Sequence, residues 1–137
     1  MLIETQEAII TALSPTPAIF RHVDGWQGEI EELVKQVSKL PSAHVALGEI
    51  DFGAEPTAMG TKLSLDESVW NVIITASNKR DRKSGAVECY QLIETVVERL
   101  KALPVEGGWL WPENAKLLYA KNGLSLYGVS FRIETEG

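Results

Sequence analysis

One cysteine in 137 residues cannot form an intrachain disulfide, so the chain must be held together by packed side chains rather than crosslinks. That residue, Cys89, falls between Val87 and Tyr90 in a helical pattern, where a buried thiol is expected. Histidine is nearly missing as well. His22 and His44 are isolated, neither has a second ligand at metal spacing, and both are read as structural. No apolar run approaches the roughly 18–20 residues that a bilayer-spanning helix needs. The N-terminus carries Glu4 and Glu7 where a secretory leader would be positive, and no small-residue cleavage site follows, so a cytoplasmic protein is expected. No nucleophile elbow, phosphate-binding loop, dinucleotide fingerprint or His-Glu-x-x-His is present. Glu49 and Asp51, two apart on an expected strand, share a face, as paired carboxylates do in acid–base or cation sites. A solvated strand face is the simpler reading. No enzyme activity, cofactor or metal is therefore expected. Positive charge is also short, with 13 Lys+Arg against 19 Asp+Glu and a net charge of −6. Such a surface repels phosphates and disfavours broad nucleic-acid binding.

The composition is that of an ordinary soluble domain, 45% hydrophobic and 23% charged. The length suits a single domain, residues 1–137, burying about two thirds of its surface without metals or disulfides. Residues 2–13 read as a short helix ended by the prolines at 15 and 17. Residues 18–23 suggest a short strand. A second helix is expected from about 26 or 28 to 40, with Ile30, Leu33, Val34, Val37 and Leu40 on one face. Residues 43–52 suggest a strand with a bulge at Gly48. Residues 53–66 read as a long loop or a protruding hairpin. Residues 68–76 are β-branched and nearly continuous in hydrophobicity, as a central strand would be.

From 84 or 85 to 103 runs the longest helix, with Val87, Tyr90, Ile93, Val97 and Leu100 as its apolar stripe, widened by Cys89 and Val96. Residues 107–112 read as a loop. Strands at 115–121 and 124–133 then flank Asn122-Gly123, a strong signal for a two-residue hairpin turn. In that register Tyr119 faces Leu126 and Leu118 faces Tyr127, and both hairpin faces are apolar. A small domain has one core, so helices or another subunit must cover the second face. The element order predicts an α+β fold, a mixed or mainly antiparallel sheet packed against helices.

Two features are unlike a plain core. The first is the basic loop Lys79-Arg80-Asp81-Arg82-Lys83, which is +3 and leaves −9 on the rest of a chain at −6. It is either a solvated turn or a docking element for an acidic partner, including a second copy of the chain. The second is Trp109-Leu110-Trp111, in which the tryptophans either fold onto the core or anchor an interface.

At 70–103 the order is strand, basic polar loop, Gly85-Ala86, the aromatic Tyr90, Leu92-Ile93-Glu94, then a helix ending in Leu100-Lys101-Ala102-Leu103. This resembles a family of small tail proteins of Mu-like phages and prophages. There a strand ends near an Asn-x-Arg loop and a Gly-Ala-x-x-x-Tyr helix follows, matching Asn78, Arg80, Gly85-Ala86 and Tyr90. Leu126-Tyr127-Gly128-Val129-Ser130-Phe131 looks like the family's closing strand, and the helix at 2–13 like its opening. The helix at 30–40 and Trp109-Leu110-Trp111 fall outside the match.

The resemblance implies a tail terminator or tail-completion subunit: a ring, usually a hexamer, that caps the tail tube, stops its growth and meets the neck. Its partners would be further copies, the tube protein and neck proteins, without membrane or nucleic acid. It would reside in the host bacterial cytoplasm and then in the virion tail. Lys79, Arg80, Arg82, Lys83, Trp109 and Trp111 would be interface residues. The alternative is a small non-enzymatic adaptor or regulator that binds nucleic acid or protein through 79–83. A hydrolase using Glu49, Asp51 or His44 is a third reading, which a divalent-metal requirement would support.

Overall fold

The computed structural model describes residues 2–15, 19–50, 56–57, 60–61, 68–77 and 82–135, with backbone alone at 56–57, 60–61 and 82–84. Along the chain these form α1 (Leu2–Leu13), β1 (His22–Gly25), α2 (Ile30–Gln36), β2 (Ser42–Glu49), β3 (Pro56–Thr57), β4 (Gly60–Thr61), β5 (Val69–Ser77), α3 (Arg82–Leu100), β6 (Pro104–Val105), β7 (Gly108–Lys121) and β8 (Leu124–Glu134). Six strands make one mixed sheet in the order β1-β2-β5-β8-β7-β6, with β1 and β2 parallel and the other neighbours antiparallel. The fold is α+β, as the element pattern predicts. β5 pairs on both sides, which explains its unbroken hydrophobicity.

Strand alternation divides the sheet into two faces. Ala43, Val45, Trp70, Val72, Ile74, Leu110, Val129, Phe131 and Ile133 point to one face. There they pack on Ile9 and Leu13 of α1 and on Cys89, Leu92, Val96 and Leu100 of α3. On the other face the buried apolar cluster is small, Ile73 and Leu126 under Leu33 of α2, with the polar Ser42, His44 and Thr75 buried beside it. Helices do cover the second face, but α2 is seven residues long and covers only part of it.

The second helix is shorter than its periodicity predicts. Val37 leaves helical geometry at ψ 122°, its N–H still bonded to the Leu33 carbonyl at 3.0 Å. It packs instead into the small cluster under the sheet. The segment then returns to β1, where the Arg21 N–H donates to the Pro41 carbonyl at 2.8 Å. The early strand lies at His22–Gly25 rather than 18–23, and β1, α2 and β2 form one strand–helix–strand unit with parallel strands. The β2 bulge occurs as expected, the register shifting between Leu47 and Glu49. Within 53–66 only 56–57 and 60–61 are described, and they pair antiparallel.

Residues 107–112 are not a loop. Glycines at 107 and 108 end a tight β6–β7 turn, and Gly108 continues directly into β7. A Cβ on Gly108 would sit 1.8 Å from the Glu134 carbonyl oxygen, at φ +152°, so only glycine lets β7 close on the end of β8. At the other end of β7, Asn122 (φ 57°) and Gly123 (φ 77°) form the hairpin turn. Tyr119 faces Leu126 as predicted, but a bulge at Leu118 makes Leu117, not Leu118, the partner of Tyr127. Leu118 and Tyr119 consequently pack together on the α2 side.

Candidate assembly surfaces

Lys79, Arg80, Asp81 and Asn78 lie outside the described residues, as does Asp51. Arg82 and Lys83 belong to the first turn of α3, so the basic cluster is not wholly a loop. Glu49 ends β2 on the α2 face of the sheet, in register with Val69.

The two tryptophans are settled by β7. Leu110 between them is fully buried in the main core, so alternation sends Trp109 and Trp111 to the opposite face. Trp109 pairs with Glu134 and Trp111 with Arg132, and neither tryptophan joins a buried cluster. Trp111 is 42% exposed. The Arg132 guanidinium forms an ion pair with Glu134, so the cross-strand partners of the two tryptophans are tied to each other. This end of the face lies beyond the cluster that α2 covers. Next to it a groove of about 730 Å³ runs between Ile30, Ala46, Asn71, Lys116, Leu118 and Ser130. The Ser130 hydroxyl donates to Asn71 Oδ1 at 2.6 Å across its floor.

A second apolar surface lies on the α1/α3 side, and the sequence pattern misassigns it. The buried stripe of α3 is Cys89, Leu92, Val96 and Leu100, with Ile93 and Val97 half-buried. Val87 and Tyr90, expected in that stripe, are exposed, Tyr90 by 52%. Tyr90 meets Tyr127 edge-on, with ring centroids 6.5 Å apart. Leu117, also 52% exposed, is the cross-strand partner of Tyr127. Burial first, and then the neighbouring Tyr90, push the Tyr127 phenol above its usual pKa. Val87, Tyr90, Tyr127 and Leu117 thus form a continuous band across the helix and the hairpin.

Beyond Leu110 the outer edge of β7 has no partner strand among the described residues. It is nonetheless a poor template for another strand. Pro112 removes a donor, register shifts interrupt the ladder at Glu113 and Leu118, and Lys116 and Lys121 add charge. Side chains, more than backbone, are what this edge offers.

A third locus was invisible in the sequence. The parallel register of β1 and β2 places His22 beside Ser42 and Asp24 beside His44, all on the α2 face. They line a pocket of about 510 Å³ with Trp26 and the segment after α2. Burial above all holds the His44 imidazole below its ordinary pKa, His22 adding to this and Asp24 opposing it. Among the described residues no three His, Cys, Asp or Glu side chains already converge as a metal site.

No protein-family model matches this chain, and no curated protein does. Among solved structures it is similar to a chain of the "Virion of native gene transfer agent (GTA) particle". The TM-score is 0.58 at 17% identity, over 99% of this chain and 97% of that chain. At that identity the likeness is one of fold, and a fold by itself does not carry a function.

Proposed function

We propose that this chain is a structural subunit of a phage-like particle, a tail terminator or tail-completion protein that works by assembly rather than by chemistry. Copies would close into a ring, six being the number the resemblance implies, over the end of a tail tube. The observation that carries this reading is the end-to-end likeness in fold to a virion chain. The Asn78, Arg80, Gly85-Ala86 and Tyr90 pattern supports it independently.

A ring needs heterologous contacts, two different patches on each subunit that fit one another. The Trp109/Trp111 surface and the Val87/Tyr90/Leu117 band are such a pair in kind, one on each face of the sheet. We assign them to the two sides of the contact between neighbours. The basic cluster of Lys79, Arg80, Arg82 and Lys83 then meets an acidic neighbour or the tube and sets register more than affinity.

Light scattering of the chain alone and with a candidate tail-tube protein tests the reading. A closed oligomer, or capture on tube ends seen by electron microscopy, is expected. A monomer indifferent to the tube would overturn it, and a steep salt dependence of DNA or RNA binding would favour the nucleic-acid adaptor instead.

A further inference from the structure

His22 and His44 are 22 positions apart in sequence yet adjacent in space, with ring centroids 5.5 Å apart and planes inclined at 58°. Two imidazoles on one tetrahedral ion have metal–nitrogen bonds of about 2.0–2.1 Å, which places their centroids roughly 5–5.5 Å apart. The observed spacing is that of a chelating pair. A third donor is also present. Asp24 Oδ2 lies 3.8 Å from His22 Nε2, on side chains 67% and 46% exposed and therefore free to adjust. Two donors on one tetrahedral ion are about 3.3 Å apart, so a small rotation suffices.

The pocket wall supplies a separate observation. Ser42 is fully buried and His44 is 6% exposed, yet Ser42 Oγ and His44 Nδ1 have no hydrogen-bond partner among the described residues. The buried Trp26 Nε1 lacks one too. Buried polar atoms are rarely left this way, and these three belong to residues that line the one pocket, although Trp70 Nε1 and Thr75 Oγ1 elsewhere share the state. The nitrogen-rich donor set selects the class, because imidazole suits late transition metals while calcium and magnesium take oxygen.

We propose that His22 and His44, with Asp24, form a site for one late divalent transition-metal ion, of the zinc, nickel and copper class, at the β1–β2 edge beside α2. Bound there, the ion ties the four-residue edge strand β1 to β2. It would stabilise the folded chain in proportion to occupancy. The proposal does not depend on the assembly reading.

The test uses the full chain stripped with a chelator. Calorimetric titration with nickel or zinc is expected to show one site, and thermal unfolding should shift upward with metal. His22→Gln, at a half-exposed position, should melt like the parent without metal. It should lose affinity at least about tenfold, since even the loss of an outer-shell partner costs about 10–100-fold. Cobalt supplies a readout that needs no variant, because tetrahedral ligation gives visible absorption bands. The absence of heat, melting shift and cobalt bands in the parent would overturn the proposal. So would a metal response that His22→Gln retains in full.

Discussion

The two faces of the sheet are made from the same strands but finished differently. The α1/α3 face is closed by two helices over a continuous apolar cluster that reaches from Ile9 to Ile133. The α2 face is closed over an apolar cluster of three buried residues, and the remainder carries Asn71, Lys116, Ser130, Arg132 and the two tryptophans. Burial of apolar surface stabilises by about 25 cal/mol per Å². Most of the fold's stability therefore resides on the first face, which leaves the second free to be polar and grooved. This division also explains the hairpin with two apolar faces: one face is core, and the other is part core and part surface.

Truncation tests the contrast most severely. Phe131 is fully buried on the first face, so Phe131→Ala is expected to cost about 3–5 kcal/mol. Leu33 is as fully buried but anchors only the seven-residue α2, so Leu33→Ala should fall near the lower end of its range, about 2 kcal/mol. Chemical denaturation of both variants measures the difference. Equal losses would mean that the two faces share one cooperative core. Hydrogen exchange should show α2 opening in Leu33→Ala while α3 stays protected.

The faces should also fail at opposite ends of the pH scale. His44, on the α2 face, has its pKa held below 6.5, so the unfolded chain takes up a proton first as pH falls. Its contribution is whole above pH 6.5 and is lost as pH falls from there through the folded value. Cys89, on the α1/α3 face, has its pKa raised above 9.0 by burial first and Glu88 second. Its contribution is whole below pH 9.0 and is lost as pH rises through the folded value. Urea midpoints of the parent, His44→Gln and Cys89→Ala across both windows, with chelator present, would show whether each variant flattens only its own limb.

How far the sequence disclosed this division depended on the signal. Periodicity located α1 to the residue, the central β5, and the hairpin at Asn122-Gly123. Composition misled at 107–112, because glycine was read as flexibility. At Gly108 its missing Cβ instead admits the Glu134 carbonyl. Periodicity also chose the wrong edge of the α3 stripe. Tyr90 and Leu92 are both apolar, and only the sheet decides that Leu92 is buried and Tyr90 is not. The slip at Leu118 and the meeting of His22 with His44 depend on register between strands, which no local pattern contains. Of the expected interface residues, the tryptophans lie on a surface strand face.

The smallest effect on stability should come from a residue that the proposed reading places at the subunit contact. Trp111 lies outside both cores and is 42% exposed, so Trp111→Ala should change stability by no more than about 0.5–1 kcal/mol. Tyr90→Ala, truncating the band on the other face, should be similarly mild. If the two patches meet across a heterologous contact, each variant alone loses oligomers, because every interface in a ring uses both patches. Mixing the two has a distinctive outcome. Tyr90→Ala still offers an intact tryptophan patch and Trp111→Ala an intact tyrosine band, so one sound interface forms and growth stops at a heterodimer. An isologous contact built on either patch would instead let one variant dimerise by itself. Light scattering of the two variants, separately and mixed, distinguishes these cases. Full oligomers in both variants would remove the patches from the interface altogether.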